Sequence, residues 1–329
     1  MSEIAALARV SKPTVSRALR NSPLVQPETK ARVIAIARKH GYVVNRNAQR
    51  LREGRANTIA VVANVPSLLR GRVVDPFGFE LLASVARALS LRQLDLLLCA
   101  AQVDELRAYQ ELLTSGDVDG IIFLAQGRRE ASLQALASKG VPMVVWGAPS
   151  ATAAYSTVGG DDRRGGELAA ERFARLGRTK ALFIGGGDEH PQMKMRLEGF
   201  TAGLRVSRPA AEIRAIRPGS FSAEAARSAL QKYLDSGGAI PDAIFAASDT
   251  MAMGVYEELE ARGLHIPADV SVIGYNDNSH AAWCRPALTT IRHDTQQAGV
   301  LLVEQLMQAL EGRRARSILM PAELIVRDS

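Results

Sequence analysis

The chain has 329 residues, 47% of them apolar, and 41 Lys and Arg against 34 Asp and Glu for a net charge of +7. That is about two average domains with ample core. No apolar run approaches the length of a membrane helix, and the N-terminus, with Glu3 early in it, has no signal-peptide core, so a reducing cytoplasm is the expected compartment. Cys99 and Cys284 stand far apart and outside any C-x-x-C, which argues against a disulfide scaffold and a structural zinc site. No metal and no cofactor is expected. The charge is unevenly spread. Residues 1–58 hold 12 Lys and Arg and 3 Glu, whereas the remainder holds 29 basic and 31 acidic groups. A small basic head on a nearly neutral body suits a polyanionic partner, where a uniform excess would speak only to solubility.

In chain order, Ile4, Leu7 and Ala8 recur at helical spacing over 2–8. A turn at Arg9 and Val10 leads into V-S-K-P-T-V-S-R-A-L-R-N, 10–21. Ser11 is placed to cap a helix through the N–H near Thr14, and Pro13 falls in the first turn, where a missing N–H costs little. Val15, Ala18 and Leu19 share an inward face. Lys12, Pro13, Ser16, Arg17 and Arg20 are left on the other. A helix with an apolar back and a small, polar, basic front has the shape a major groove accepts. A third helix is expected over 27–40, opened by Pro27 and stopped by Gly41, with Val33, Ile36 and Ala37 inward. Three short helices with a tight link between the first two make a helix-turn-helix unit. The next segment, N-R-N-A-Q-R-L-R-E-G over 45–54, has helix formers and one large apolar side chain, Leu51. A lone leucine there needs a partner chain, the body, or a DNA base step to wedge into.

These residues, E-I-A-A-L-A-R-V-S-K-P-T-V-S-R-A-L-R-N followed by N-R-N-A-Q-R-L, resemble the LacI/GalR (lactose-repressor) family of bacterial transcription regulators. The resemblance implies that Lys12, Pro13 and Arg17 face base edges, within a contacting set that also takes in Ser11, Thr14, Ser16 and Asn21. It further implies a hinge helix over 46–53 whose Leu51 enters the minor groove, with Asn45, Arg46, Ala48 and Gln49 beside it on the DNA. Arg17 is the sharpest reader, because a guanidinium bonds guanine O6 and N7 together, about 1–3 kcal/mol of discrimination. The chain departs from the family's pattern in two ways. Arg9 stands where Gly is usual, in a turn that favours positive φ, at a cost of roughly 1 kcal/mol. It also starts a few residues early, so the native chain is expected to begin upstream of Met1.

From Thr58 strand and helix alternate. Strands are expected at 59–64, 95–101, 119–124 and 142–147, with helices at 77–93, 104–115 and 130–138. A second series has strands at 181–185, 212–216, 243–247 and 270–274, with helices at 163–176, 195–204, 223–236 and 250–262. Such alternation means parallel sheets covered on both faces, and two series mean two doubly wound lobes. A helix over 295–311 and a last strand at 324–326 follow. Ligands bind such lobes at the carboxyl ends of the strands. Asp249 follows F-A-A-S and Asn276 follows V-I-G-Y, while Arg196 brings a fork of donors near a helix start. Phe77, Phe79 and Trp146 are candidate flat walls. Asp161 and Asp162 read as caps of the following helix. Asp249 is itself a candidate cap, and Trp283 and Cys284 fall on an expected dimer surface.

S-T-V-G-G-D-D-R-R-G-G, R-L-E-G-F, D-A-I-F-A-A-S-D-T-M-A-M-G, D-V-S-V-I-G-Y-N-D and P-A-L-T-T-I-R-H-D resemble the effector domain of the same family, whose fold is similar to periplasmic sugar-binding proteins. The expected fold class is therefore α/β: an N-terminal helix-turn-helix head (1–44), a hinge (45–57), and two parallel-sheet lobes of the periplasmic-binding-protein-like type (58–329). Lobe 1 takes about 58–158 and 291–318, and lobe 2 about 159–290 and 319–329. The resemblance implies that Arg196, Asp249 and Asn276 line the effector site. Asn276 replaces a common Asp, His293 a frequent Gln, and Gly147 a frequent Asp. The loop 65–75 is longer than usual. The implied function is a ligand-responsive DNA-binding regulator, a homodimer that represses carbohydrate-related genes from a pseudo-palindromic operator and answers a sugar-like effector. An enzyme and a transport-type sugar receptor are the rivals. Against the first, the chain has no G-x-S-x-G, no phosphate-binding glycine loop and no metal-spaced His/Cys set. Against the second stands the basic head.

Overall fold

The computed structural model describes the chain except residues 20–21, 43–54, 64–75, 101–105, 128–129, 151, 187–189 and 314–315. It forms two compact units, Met1–Ala56 and Asn57–Ser329. The first holds α1 (Ser2–Leu7), α2 (Lys12–Leu19) and α3 (Pro27–Lys39). Ile4, Ala5, Ala8, Val15, Ala18, Val25, Val33 and Ala37 make its core, with Leu19 and Ile36 packed against it. Leu7 is 47% exposed and lies outside that core, because a six-residue helix presents only one narrow face. The turn after α1 puts Arg9 at φ 53, and Val10 N–H donates back to the Ala5 carbonyl at 3.0 Å. Ser11 Oγ accepts from the Thr14 N–H at 3.3 Å and shares a 2.8 Å hydrogen bond with Thr14 Oγ1, which starts α2 as Ser caps generally do.

The second unit has two six-stranded sheets. One is built on β1 (Thr58–Ala63), β2 (Asp95–Ala100), β3 (Gly120–Phe123), β4 (Met143–Trp146), β5 (Ser156–Gly160) and β11 (Ile318–Met320), in the order β11-β5-β4-β3-β1-β2. Helices α4 (Pro76–Leu91), α5 (Leu106–Thr114), α6 (Glu130–Ser138) and α11 (Thr295–Leu310) belong to this lobe. The other holds β6 (Lys180–Ile184), β7 (Glu212–Ile216), β8 (Ala243–Ala246), β9 (Ser271–Asn276), β10 (Thr289–Arg292) and β12 (Glu323–Ile325), ordered β12-β10-β9-β8-β6-β7. Its helices are α7 (Asp162–Arg175), α8 (Pro191–Ser207), α9 (Ala223–Asp235) and α10 (Asp249–Ala261). All described pairings are parallel except β10 with β12. Apolar runs such as T-I-A-V-V-A are buried on both faces, the pattern of a covered parallel sheet.

Three strands escape the sequence reading. β5 (S-T-V-G-G) has two glycines, β10 (T-T-I-R) has two threonines, and β11 is three residues long. β5 and β10 carry no hydrophobic run and β11, though apolar, is too short to signal a strand; each is a strand because a neighbour supplies its ladder. The chain passes between the sheets three times, after β5, after β10 and after β11. The expected divisions at about 158, 291 and 318 need correcting, since β5 pairs through Gly160, β10 through Arg292 and β11 through Met320. Pairing register moves each division by one or two residues. The expected loop at 65–75 lies outside the described residues.

Three outcomes are expected from this packing and backbone geometry. A Cβ at Gly199 would lie 1.9 Å from the Arg163 carbonyl oxygen, where α8 crosses α7, whereas one at Gly78 meets nothing within 4 Å. Gly199→Ala should lower body stability by about 1–3 kcal/mol in urea unfolding, and Gly78→Ala should leave it unchanged or slightly raised. Arg9→Gly should relieve the left-handed backbone and stabilise the head by up to ~1 kcal/mol, read as slower amide exchange in α1 and α2.

Candidate DNA-contacting helix and effector site

In the head, Ser11, Lys12, Pro13 and Arg17 are exposed on α2, and Thr14 is half-buried. Ser16 departs from expectation: only 8% exposed, it belongs to the packed side of the helix with Val15 and Ala18. The inward face is wider than an i, i+3, i+4 stripe, because α2 packs against both α1 and α3. Arg20, Asn21, Asn45, Arg46, Ala48, Gln49 and Leu51 lie outside the described residues. The exposed front of α2 thus carries two cations and a proline and no carboxylate.

In the body, the chemistry gathers around Arg196 on the first turns of α8. Its side chain is 6% exposed and its Nε donates to Asp162 Oδ1 at 2.7 Å. Nη1 donates to the Ala247 carbonyl just past β8 at 2.6 Å, and the guanidinium carbon lies 3.5 Å from the centroid of the Tyr275 ring. Burial works against the charge, but Asp162 and Tyr275 outweigh it and hold the guanidinium's pKa above the ordinary arginine value. The neighbouring Glu198 is instead paired with Arg163 at 2.5 Å. The Tyr275 hydroxyl lies 2.9 Å from Asp162 Oδ1 and 2.9 Å from His293 Nε2. His293 Nδ1 lies 3.2 Å from the Pro321 carbonyl. Burial pushes the His293 pKa down, against the opposing pull of Asp162 and the Pro321 carbonyl. The ring fits only because residue 160 is glycine: a Cβ there would stand 2.2 Å from Nε2.

Asp249 is buried at 1% exposure. Its Oδ1 accepts from Thr290 Oγ1 at 2.5 Å and its Oδ2 from the Asn278 N–H at 2.8 Å. It is the first residue of α10, and the cap is Ser248, whose Oγ accepts from the Met251 N–H at 3.2 Å. The carboxylate therefore ties β10 and the loop after β9 to α10, and the capping role expected of it falls one residue earlier. Asn276 ends β9 at 6% exposure with φ 104. Among the aromatic candidates, Trp146 is 4% exposed within the core of the first lobe, with Phe77 against it at 5.6 Å, and Phe79 is 47% exposed. The structure does not gather the three into one wall. Gly147 is explained by Gln126, whose Oε1 would lie 2.7 Å from a Cβ at that position. Gln126 is held there by the Ala148 N–H (3.1 Å) and by its own donation to Tyr155 Oη (3.0 Å) and Glu130 (3.2 Å).

Two residues of the Arg196 cluster were not legible. Asp161 does cap α7, accepting from the Arg164 N–H at 2.9 Å, but Asp162 is a buried counter-ion. Tyr275 stands inside V-I-G-Y-N and is not among the expected site residues. The signal for both was available only as a question: a buried Arg needs a carboxylate. Among the described residues no group of His, Cys, Asp or Glu is placed to hold a metal ion, and no helix is long and apolar enough to cross a membrane.

An exposed basic helix in its own unit and a two-lobed body with polar groups at its strand ends define a DNA-binding regulator with a small-molecule receptor. Comparisons agree. Residues 1–45 match the model of the bacterial regulatory proteins of the lacI family, and residues 170–329 that of a periplasmic binding protein-like domain. The transcriptional repressor CytR of Escherichia coli is 30% identical across 100% of this chain and 95% of its own length. The probable transcriptional repressor ExuR of Bacillus subtilis is 28% identical, covering 99% and 97%. The solved complex of the regulator CelR with cellobiose superposes with a TM-score of 0.72 at 28% identity, covering 99% and 98%. A lac repressor dimer bound to operator superposes at 0.82, with 23% identity over 99% and 97%. The chain belongs to the LacI family of bacterial transcriptional regulators.

The His293 environment sets a pH dependence. Its folded-state pKa lies below that of the unfolded chain, so as pH falls through the ordinary histidine range the unfolded chain takes up the proton first and stability drops until the folded value is reached. His293→Gln should remove that acid-side component, seen as a flatter melting-temperature profile between about pH 7 and pH 5.

Proposed function

We propose that the protein is a cytoplasmic, homodimeric repressor that leaves its operator, or takes it up, when a sugar or sugar derivative enters the cleft between the lobes. The observation that carries this reading is the pairing of an exposed Lys12–Pro13–Arg17 helix front with a buried Arg196 fork at the strand ends of a separate two-lobed unit. CelR, solved with cellobiose, and the relative known as the ribose operon repressor of Haemophilus influenzae support a saccharide class. Arg196, Asn276 and His293 are the body's effector contacts in this reading, with Asp249 holding the strand ends in register beneath them.

Two heads on a two-fold axis would read a pseudo-palindrome. The 76% exposed Trp283, in the 3-10 turn Ala281–Trp283, is an apolar surface suited to the dimer contact. The effector acts by binding one lobe arrangement better than the other, and only that difference can move operator affinity. The hinge role of Leu51 belongs to this reading as well.

Arg17→Ala should weaken binding to the cognate operator by about 1–3 kcal/mol while changing binding to random DNA far less, measured by fluorescence anisotropy at fixed salt. Equal losses on both would remove base reading by Arg17. A thermal-shift screen of the full chain against sugars, sugar phosphates and nucleosides identifies the effector class. Arg196→Ala should then lose the response to the hit while keeping operator binding, and a retained response would move the site elsewhere.

A further inference from the structure

The cluster around Arg196 holds one proton for two acceptors. The Pro321 carbonyl can only accept, so the 3.2 Å contact requires a hydrogen on His293 Nδ1. A neutral imidazole then has a lone pair on Nε2, and the Tyr275 hydroxyl 2.9 Å away must donate to it. The same hydroxyl is 2.9 Å from Asp162 Oδ1, which in that state faces only oxygen lone pairs and keeps a single donor, Arg196 Nε at 2.7 Å. An imidazolium reverses this. It donates from both nitrogens, and Tyr275 is free to donate to Asp162. Among the described residues Asp162 Oδ2 is buried without a hydrogen-bond partner.

We infer that Tyr275 is a positioning residue for Arg196: it hands its one hydroxyl proton to Asp162 or to His293, and that choice governs how the Asp162 carboxylate holds the guanidinium. The groups that decide it stand at the interlobe passages. Gly160 and Asp162 flank the first, His293 follows β10 at the second, and Pro321 follows β11 at the third. Any movement of the passages that lengthens the His293–Pro321 or His293–Tyr275 contact therefore reaches Arg196 through one hydroxyl. The charged groups facing His293 are Asp161 and Asp162 at the start of α7, which favour the imidazolium, and Arg196 from α8, which with burial opposes it.

The consequence for effector binding rests on the proposed role of Arg196, but the test reads the guanidinium itself. Full-length protein labelled with [15N]arginine is titrated from about pH 8 to about pH 5, the range in which histidine changes charge. The Arg196 Nε–H resonance is identified by its loss in Arg196→Lys. In the unmodified protein that resonance should move in a single step with a midpoint below the ordinary histidine value. In Tyr275→Phe, which keeps the ring under the guanidinium, the step should vanish while the His293 ring resonances still titrate. In His293→Gln, with an amide that can still meet Tyr275 but does not ionise, it should vanish too. An unmoving resonance in the unmodified protein overturns the inference, as does a full-sized step surviving in either variant. If Arg196→Ala instead leaves the effector response intact, the effector reading falls and this titration is untouched.

Discussion

A buried guanidinium is the constraint around which the body is arranged. Charge removed from water is costly unless paired and fully hydrogen-bonded. Arg196 meets that demand with a carboxylate from the start of α7, a carbonyl from the end of β8 and the face of an aromatic ring on β9. Three elements of one lobe are therefore brought to one point at the carboxyl edge of its sheet. The passages to the other lobe join the same point through His293 and Pro321. The place where a parallel-sheet lobe offers its ligand site and the place where the lobes are joined thus share one hydrogen-bonded cluster.

That economy suits a regulator. A receptor whose only product is a change in DNA affinity needs a ligand site whose arrangement depends on how the lobes are joined. An isolated pocket within one lobe would bind without signalling. Asp249 shows the complementary case. Its oxygens accept from Thr290 and from the Asn278 N–H, so it ties the strand ends to the start of α10. The basic head stands apart from this in charge as in structure. Its cations are concentrated in residues 1–58 and absent in excess from the body, so attraction to a polyanion is confined to the part that reads it.

The sequence by itself determined the head's three helices, the alternation of strand and helix in the body and the two-lobed class, and it singled out Arg196 as a candidate. Those features are local: caps, apolar period and motif residues act within a few positions of one another. It did not determine β5 and β10, which lack hydrophobic runs, or β11, which is only three residues long; all three exist because neighbouring strands complete their ladders. Nor did it determine that Ser16 turns inward, that Ser248 and not Asp249 caps α10, or that Trp146 belongs to a core. Asp162 and Tyr275 make the same point most sharply. One reads as a cap and the other is not singled out, and their partners lie 34 and 113 positions away along the chain. Only when the fold closes and water is excluded does a charge on α8 require a counter-charge on α7, and that requirement, being non-local, is written in the tertiary structure alone.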